Sequence, residues 1–148
     1  MLIQKKSSKE INKISKKELK LIGTALYWAE GYKKTNWTLV FCNSDPDIIK
    51  IIMRFFRETC KVPEKKFKVK VQIHPNIPEM AAKKYWSKVA KLSISKFRKS
   101  LKQLPKSSKS KRKFNTLPYG TFRISISDVR LVNKIKGWIK GIVIESLK

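Results

Sequence analysis

The chain has 148 residues, a length typical of one domain, and its 41% apolar content is enough to bury one core. Its 36 Lys and Arg outnumber its 10 Asp and Glu, and the resulting charge of +26 favours a polyanionic partner because the cations repel one another. No apolar run approaches the roughly 20 residues that span a bilayer, and no signal peptide begins the chain, which predicts a cytoplasmic, nucleoid-associated protein.

Few residues are available for metal or nucleophilic chemistry. Cys42 and Cys60 are separated by 17 residues, and His74 is the one histidine, so neither a zinc-binding spacing nor a disulfide framework is present. We expect both cysteines to be buried thiols. A Ser/His/Asp triad and a phosphate-binding glycine loop also find no match, which disfavours most enzyme classes.

The first part of the chain predicts a mobile arm, a helix and a strand. Residues 1–14 are rich in Lys and Ser and predict the basic arm. Ser15 and Glu18 form a capping box that begins a helix, which we expect to end at Gly31 with a positive φ. The apolar run 37–42 (WTLVFC) then predicts a central strand, after at best a very short strand at 32–35.

The middle of the chain repeats the alternation of helix and strand. A cap, an early proline and acidic residues at 44–47 begin a second helix, which ends near Cys60. Apolar and polar residues alternate over 67–73, the period of a strand with one exposed face. Asn76 and Glu79 begin a third helix, and Ser93 begins a shorter one that extends through Leu101.

The last part is predicted to hold a flexible basic loop, a strand and a helix. Periodicity is lost over 102–118, where the charge rises, and then residues 121–127 alternate like a half-exposed strand. Asp128 begins the final helix. These elements predict one α+β domain over 15–148, in which residues 78–101 look like an insertion between sheet strands.

The exposed faces of the predicted strands carry cations and hydrogen-bonding side chains. Such a sheet could lie in a groove of DNA, with Lys and Arg on phosphates and Gln and Arg on base edges. The alternative is that these side chains are simply solvated, as in most antiparallel sheets. The basic loop likewise either clamps phosphates or is a solvated linker. Candidate DNA-contacting residues are Lys33, Lys34, Lys68, Lys70, Gln72, His74, Lys96, Lys99, Lys109, Lys111, Arg112, Lys113, Arg123 and Ser125.

Glu30 is the one acidic residue without a structural explanation in the sequence. It lies in the last turn of the first predicted helix, where the helix dipole disfavours a carboxylate by about 0.3–1 kcal/mol. It either forms an ion pair with Lys33 or Lys34, or binds a metal ion that faces DNA. The same helix has Leu21, Ala25 and Ala29 on one narrow stripe, which would allow a second helix to approach closely.

Residues 23–31, GTALYWAEG, resemble a degenerate copy of the motif of the LAGLIDADG homing endonucleases. Ala25 and Ala29 match its small positions, Glu30 its last acidic position and Gly31 its terminal glycine, whereas Trp28 stands at its sixth position. The resemblance extends over most of 15–142. It implies an αββαββα unit whose curved antiparallel or mixed sheet forms a DNA-binding saddle, with helices on the other face.

The resemblance also implies a function. One motif per chain implies a homodimer that packs through Leu21, Ala25 and Ala29 and cleaves duplex DNA at a specific site. Glu30 would be catalytic, and Glu30 with Gly31 would bind Mg²⁺ or another divalent cation. One alternative is a non-catalytic module of the same fold, a regulator or maturase-like protein that binds DNA or RNA. Another is a small basic RNA-binding protein of ribosomal character.

Overall fold

The computed structural model describes residues 1–102 and 117–148, which form an α+β fold as the sequence predicts. The helices in these ranges are α1 (Leu2–Ser8), α2 (Lys16–Glu30), α3 (Pro46–Arg54), α4 (Glu79–Ala90) and α5 (Val129–Ser146). The strands are β1 (Gly31–Tyr32), β2 (Thr38–Asn43), β3 (Lys68–Ile73), β4 (Leu101–Lys102) and β5 (Thr121–Ser127). A π-helical turn (Phe55–Thr59) extends α3, and two 3₁₀ turns (Glu64–Lys66 and Ile94–Lys96) connect other elements.

The strands form one mixed sheet in the order β1-β2-β5-β3-β4. All neighbouring strands are antiparallel except β3 and β4, which are parallel. Alternate side chains of β2, β3 and β5 are fully buried, and the side chains between them remain on the other face. The sheet therefore has one face against the core and one open face.

The core lies between the sheet and the helices. Large side chains such as Phe41 and Phe122 from the sheet meet Ile52, Phe56 and Trp86 from the helical side, all with at most 1% exposure. The ring planes of Trp86 and Phe122 stack with centroids 5.4 Å apart. In the described ranges, no helix is long and apolar enough to cross a membrane.

The three strongest predicted helix starts are confirmed. Ser15 and Glu18 exchange hydrogen bonds in a complete capping box at α2. The Asp45 carboxylate accepts from the backbone N–H of Asp47, and Pro46 occupies the first turn of α3. Asp128 accepts from Leu131 at α5. Each cap satisfies a backbone N–H that has no partner within its own helix, which is why a helix begins at each of these residues.

The predicted helix end at Gly31 is correct in place but wrong in conformation. Gly31 has φ −77° and ψ 157° because the chain passes from α2 directly into the extended β1. Glycine is needed here for close approach instead, since a Cβ would lie 2.5 Å from the carbonyl oxygen of Tyr27. β1 is two residues long and does not extend through Thr35.

The helix predicted from Ser93 through Leu101 does not form. Ser93 caps only the 3₁₀ turn that ends at Lys96. Phe97 then packs on the core and Arg98 donates its backbone N–H to the carbonyl of Val69, so the chain runs beside β3 and Leu101 begins β4. Tertiary pairing at the sheet edge thus overrides the local helical signal.

Three further predicted segments also differ from the structure. Residues 1–14, predicted to be a mobile arm, contain α1, whose backbone hydrogen bonds form although none of its residues is buried. Lys102, assigned to the basic loop, belongs to β4. The strand predicted at 37–42 lies between β1 and β5, but only Leu39 and Phe41 are buried, so it is not apolar-packed on both faces.

Candidate nucleic-acid interface

The open face of the sheet carries its polar side chains in register across three strands. Arg123 of β5 lies opposite Lys70 of β3 and Cys42 of β2. In the next row, Ser125 lies opposite Lys68 and Val40. Directly opposed residues point to the same side of a sheet. The structure therefore brings together five residues predicted to contact DNA on one face: Lys68, Lys70, Gln72, Arg123 and Ser125.

Arg123 is at the centre of this face. Its Nε atom is buried, and no hydrogen-bond partner is present among the described residues. Arg123 and Lys70 both stabilise the thiolate of Cys42, but burial has the larger effect and raises the pKa of that thiol. Arg123 therefore lies on a cationic part of the open face, and its buried Nε is a donor that no described residue satisfies.

The C-terminal end of α2 meets the open face at a cavity of about 660 Å³. Glu30, Gly31 and Tyr32 line it from the α2–β1 connection, and Arg123 and Cys42 line it from the sheet. The α2–β1 connection lies next to β2 because Gly31 pairs with Phe41, and Tyr32 pairs with Val40 on the open face. An acidic side chain and the central cation of the sheet thus border the same space.

Glu30 differs from nearly all other acidic residues of the chain. All ten Asp and Glu lie in the described ranges. Eight accept a capping hydrogen bond or form an ion pair there, including Glu58 with Arg54 and Glu64 with Arg57. Within those ranges, the carboxylates of Glu10 and Glu30 have neither kind of partner.

Lys33 is not the ion-pair partner of Glu30. Its Nζ donates to the carbonyl oxygen of Trp28 at 2.8 Å and to that of Gly31 at 2.9 Å. The ammonium therefore stabilises the carbonyl end of α2, in accord with the helix dipole. A metal ion that binds the Gly31 carbonyl would have to displace this ammonium. The Glu30 carboxylate is exposed and could bind a metal ion without displacing it. Lys34 is exposed in the same loop.

One face of α2 is apolar although it is exposed. Leu21 is 47% exposed and Trp28 is 41% exposed, and Ala25 and Ala29 are also exposed on this side of the helix. The opposite side of the helix is buried through Leu19, Gly23, Thr24 and Tyr27. A helix with two apolar sides is typical of one that packs against a second partner.

The remaining predicted site residues do not belong to the strands of this face as the structure describes them. His74 follows the last residue of β3 and its Nδ1 forms a hydrogen bond with Asn76. The Nζ of Lys96 donates to the carbonyl of Glu64, which holds it in a turn. Lys99 is exposed between that turn and β4. Lys109, Lys111, Arg112 and Lys113 lie outside the described residues.

Sequence reasoning missed the contribution of β1 and β2 to the open face. Tyr32, Thr38 and Val40 all line the cavity beside Glu30. Alternation along β2 places Thr38, Val40 and Cys42 on one side, but the run WTLVFC is apolar throughout and conceals that period. Both cysteines are only half-buried, so the expectation of two buried thiols is corrected.

In the ranges 1–102 and 117–148, no three His, Cys, Asp or Glu side chains come together as a metal site. No family model matches the chain, and neither a curated protein nor a solved structure is similar to it.

Proposed function

We propose that the protein is a homodimeric, Mg²⁺-dependent, site-specific DNA endonuclease of the LAGLIDADG type. The observation that carries this proposal is the position of Glu30. A carboxylate without a partner among the described residues ends a helix that has an exposed apolar face, and it borders a cavity on the cationic face of the sheet. These three features belong together in an enzyme that brings two acids to the centre of a DNA site.

The order of elements supports the resemblance. α2, β1, β2, α3, β3, β5 and α5 follow one another as an αββαββα unit, with α4 and β4 inserted before β5. The insertion adds β4 to the edge of the sheet beyond β3. The open face would then serve as the saddle on which duplex DNA lies, because sheets of this size are twisted rather than flat.

The exposed face of α2 supports a dimer. Two α2 helices that pack through Leu21, Ala25 and Ala29 would bury apolar side chains, and the small alanines would let the backbones approach closely. A two-fold axis at this contact would bring together the two C-terminal ends, and with them two Glu30 carboxylates. A DNA site read by such a dimer would be roughly palindromic.

The residues of the cavity suggest distinct roles in phosphodiester hydrolysis. Glu30 is the group that would hold Mg²⁺, which activates water and offsets charge on the leaving oxygen when it is bound. Arg123 would donate to a phosphate oxygen beside Glu30, since its guanidinium faces the same cavity. Lys68, Lys70 and Gln72 would hold and read the duplex on either side.

A comparison of two glutamate variants tests the proposal. Purified protein would be incubated with a randomised duplex library and Mg²⁺, and both the bound and the cut fragments would be sequenced. We expect cuts at a pseudo-palindromic site that disappear in Glu30→Gln and persist in Glu10→Gln, which removes the other carboxylate that lacks a partner. Enriched binding without cuts in any of the three proteins would refute catalysis and support the alternative, a binding module for DNA or RNA.

A further inference from the structure

Most cations of the described ranges are not on the strands that form the open face of the sheet. β2, β3 and β5 place three cations there, Lys68, Lys70 and Arg123, whereas the chain has 36 Lys and Arg. Ten carboxylates cannot neutralise the remainder. A second group of cations in a fixed arrangement is therefore to be expected elsewhere on the surface.

Such an arrangement lies on the outer side of the helices. Arg130 and Lys134 line a cleft of about 560 Å³ between the start of α5 and Cys60, the residue that follows the π-helical turn. Lys20 of α2 lies beside the same helix, because its Nζ contacts the ring of Trp138, which follows Lys134 by one turn of α5. We call Lys20, Arg130 and Lys134 the helix-side basic surface.

The cations of this surface are not balanced by acidic residues. Asp128 also lines the cleft, but its carboxylate is 3.2 Å from the Nζ of Lys66. Glu58, the acidic residue of the π-helical turn, is bound by Arg54 at 2.6 Å. All carboxylates of the chain lie in the described ranges, and none is within 4.0 Å of a nitrogen of Lys20, Arg130 or Lys134.

Packing fixes part of this surface in place. The Nζ of Lys20 lies 4.6 Å from the centroid of the Trp138 ring, a cation–π contact, and Lys20 is only partly exposed. Arg130 and Lys134 are exposed on a helix that buries Leu131 and Ile135 in the core. Side chains that are already held lose less conformational freedom when they bind a ligand than freely rotating ones do.

The helix-side basic surface is too far from the open face to serve the same duplex. α5 lies between them, because it buries Leu131 and Ile135 in the core that the buried face of the sheet also borders, and a helix with its side chains is about 10–12 Å in diameter. At physiological ionic strength the Debye length is about 8 Å, so the outer cations contribute little to a duplex that lies on the sheet. A polyanion on the helix side must therefore be a separate segment.

We propose that the helix-side basic surface binds the phosphate backbone of a second nucleic-acid duplex, so that the protein bridges two duplex segments. This inference does not depend on cleavage, since it concerns binding by the opposite side of the molecule. The partner is a phosphate backbone rather than a set of bases, because the surface consists of cations and the amide of Asn133 beside them already donates to the carbonyl of Val129.

A bridging assay tests the proposal with two short duplexes of mixed sequence, one labelled with a donor and one with an acceptor fluorophore. The wild-type protein should bring the two together, and the triple variant Lys20→Gln, Arg130→Gln, Lys134→Gln should abolish energy transfer but still bind one duplex. A triple variant of exposed lysines elsewhere, Lys6→Gln, Lys84→Gln, Lys88→Gln, is the matched control and should still bridge.

A second measurement separates the two surfaces. Neutralisation of the open face by Lys68→Gln, Lys70→Gln and Arg123→Gln should leave residual duplex binding. Addition of the helix-side substitutions should then lower the slope of log K against log salt by about 0.9 for each phosphate that the protein no longer neutralises. Bridging that survives in the helix-side variant, or a surface that binds anionic lipid vesicles and no duplex, would overturn the proposal. Loss of all binding in the open-face variant would also overturn it, yet would leave the proposed function intact.

Discussion

Gly23→Ala should destabilise the protein even though alanine is the better helix former. Gly23 lies inside α2 and is buried against Phe55, the first residue of the π-helical turn. A Cβ at position 23 would lie 2.1 Å from both Cγ and Cδ1 of that ring. Carbon atoms in good contact are about 3.5–4.0 Å apart, so the ring would have to move by more than about 1 Å.

The ring has little room to move. Phe55 is fully buried, and its centroid is 5.7 Å from that of Phe56 and 6.1 Å from that of Trp138. Overpacking costs about 1–3 kcal/mol, and a shift of more than about 1 Å by a fully buried ring falls in the upper part of that range, about 2–3 kcal/mol. The gain in helix propensity is about 1 kcal/mol. We therefore expect a net loss of roughly 1–2 kcal/mol in the free energy of unfolding.

Urea unfolding at constant protein concentration measures this loss. With an m-value of about 2 kcal/mol/M, the midpoint should fall by roughly 0.5–1 M. Gly137→Ala is the control, because nothing lies within 4 Å of a Cβ there in α5, and it should raise the midpoint instead. Phe55→Ala removes the Cγ and Cδ1 atoms that the new Cβ would meet, so the double variant should lose less than the sum of the singles. Gly23→Ala that is as stable as Gly137→Ala would refute the packing argument.

Three further predictions concern the interface, a helix cap and the thiols. Ala25→Lys should convert a dimer of 17.3 kDa subunits to monomers in sedimentation equilibrium, whereas Ala81→Lys on the exposed side of α4 should not; equal masses would contradict the proposed contact. The pKa of Asp128 is lowered by hydrogen bonds from Leu131 and Lys66, so its charge stabilises the fold above the unfolded pKa of about 3.9 and the benefit disappears as pH falls through the folded value. Asp128→Asn should accordingly cost about 0.3–1 kcal/mol near neutral pH and nothing in acid, as chemical unfolding at several pH values would show. Burial raises the pKa of Cys60 to about 12, so at mildly alkaline pH iodoacetamide should alkylate Cys60 far more slowly in the folded protein than in urea, measured by mass spectrometry.

Helix starts could be predicted from sequence because their signals are local. Ser15, Asp45 and Asp128 each satisfy a backbone N–H within three residues, so nothing distant is required to place them. The alternating strands β3 and β5 were equally accessible, since their buried faces repeat every second residue. These signals predicted the α+β class and five residues of the open face.

Long-range pairing could not be predicted in the same way. β4 exists because the chain after Phe97 runs parallel to β3, and only the fold brings Leu101 to Gln72. The conformation of Gly31 likewise depends on its pairing with Phe41 across the hairpin. The role of Lys33 could not be predicted for a similar reason. Its ammonium donates to the carbonyl oxygens of Trp28 and Gly31 and not to the Glu30 carboxylate, which is nearby in the sequence.

Glu30 is the last residue of α2 and borders the cavity on the open face of the sheet. A carboxylate at the C-terminal end of a helix is disfavoured by the dipole, and the structure compensates the carbonyls of that end with Lys33 rather than neutralising the carboxylate itself. The cavity then places Arg123 on the other side of the same space. Glu30 has no partner within the described residues, although the chain has many cations. We propose that this carboxylate is kept available for a ligand of higher charge density than an ammonium or guanidinium group. The proposed divalent cation, held between two copies of Glu30, would meet that requirement, and the cavity, the cationic sheet and the apolar helix face around Glu30 are the features that support this proposal over a solvated surface glutamate.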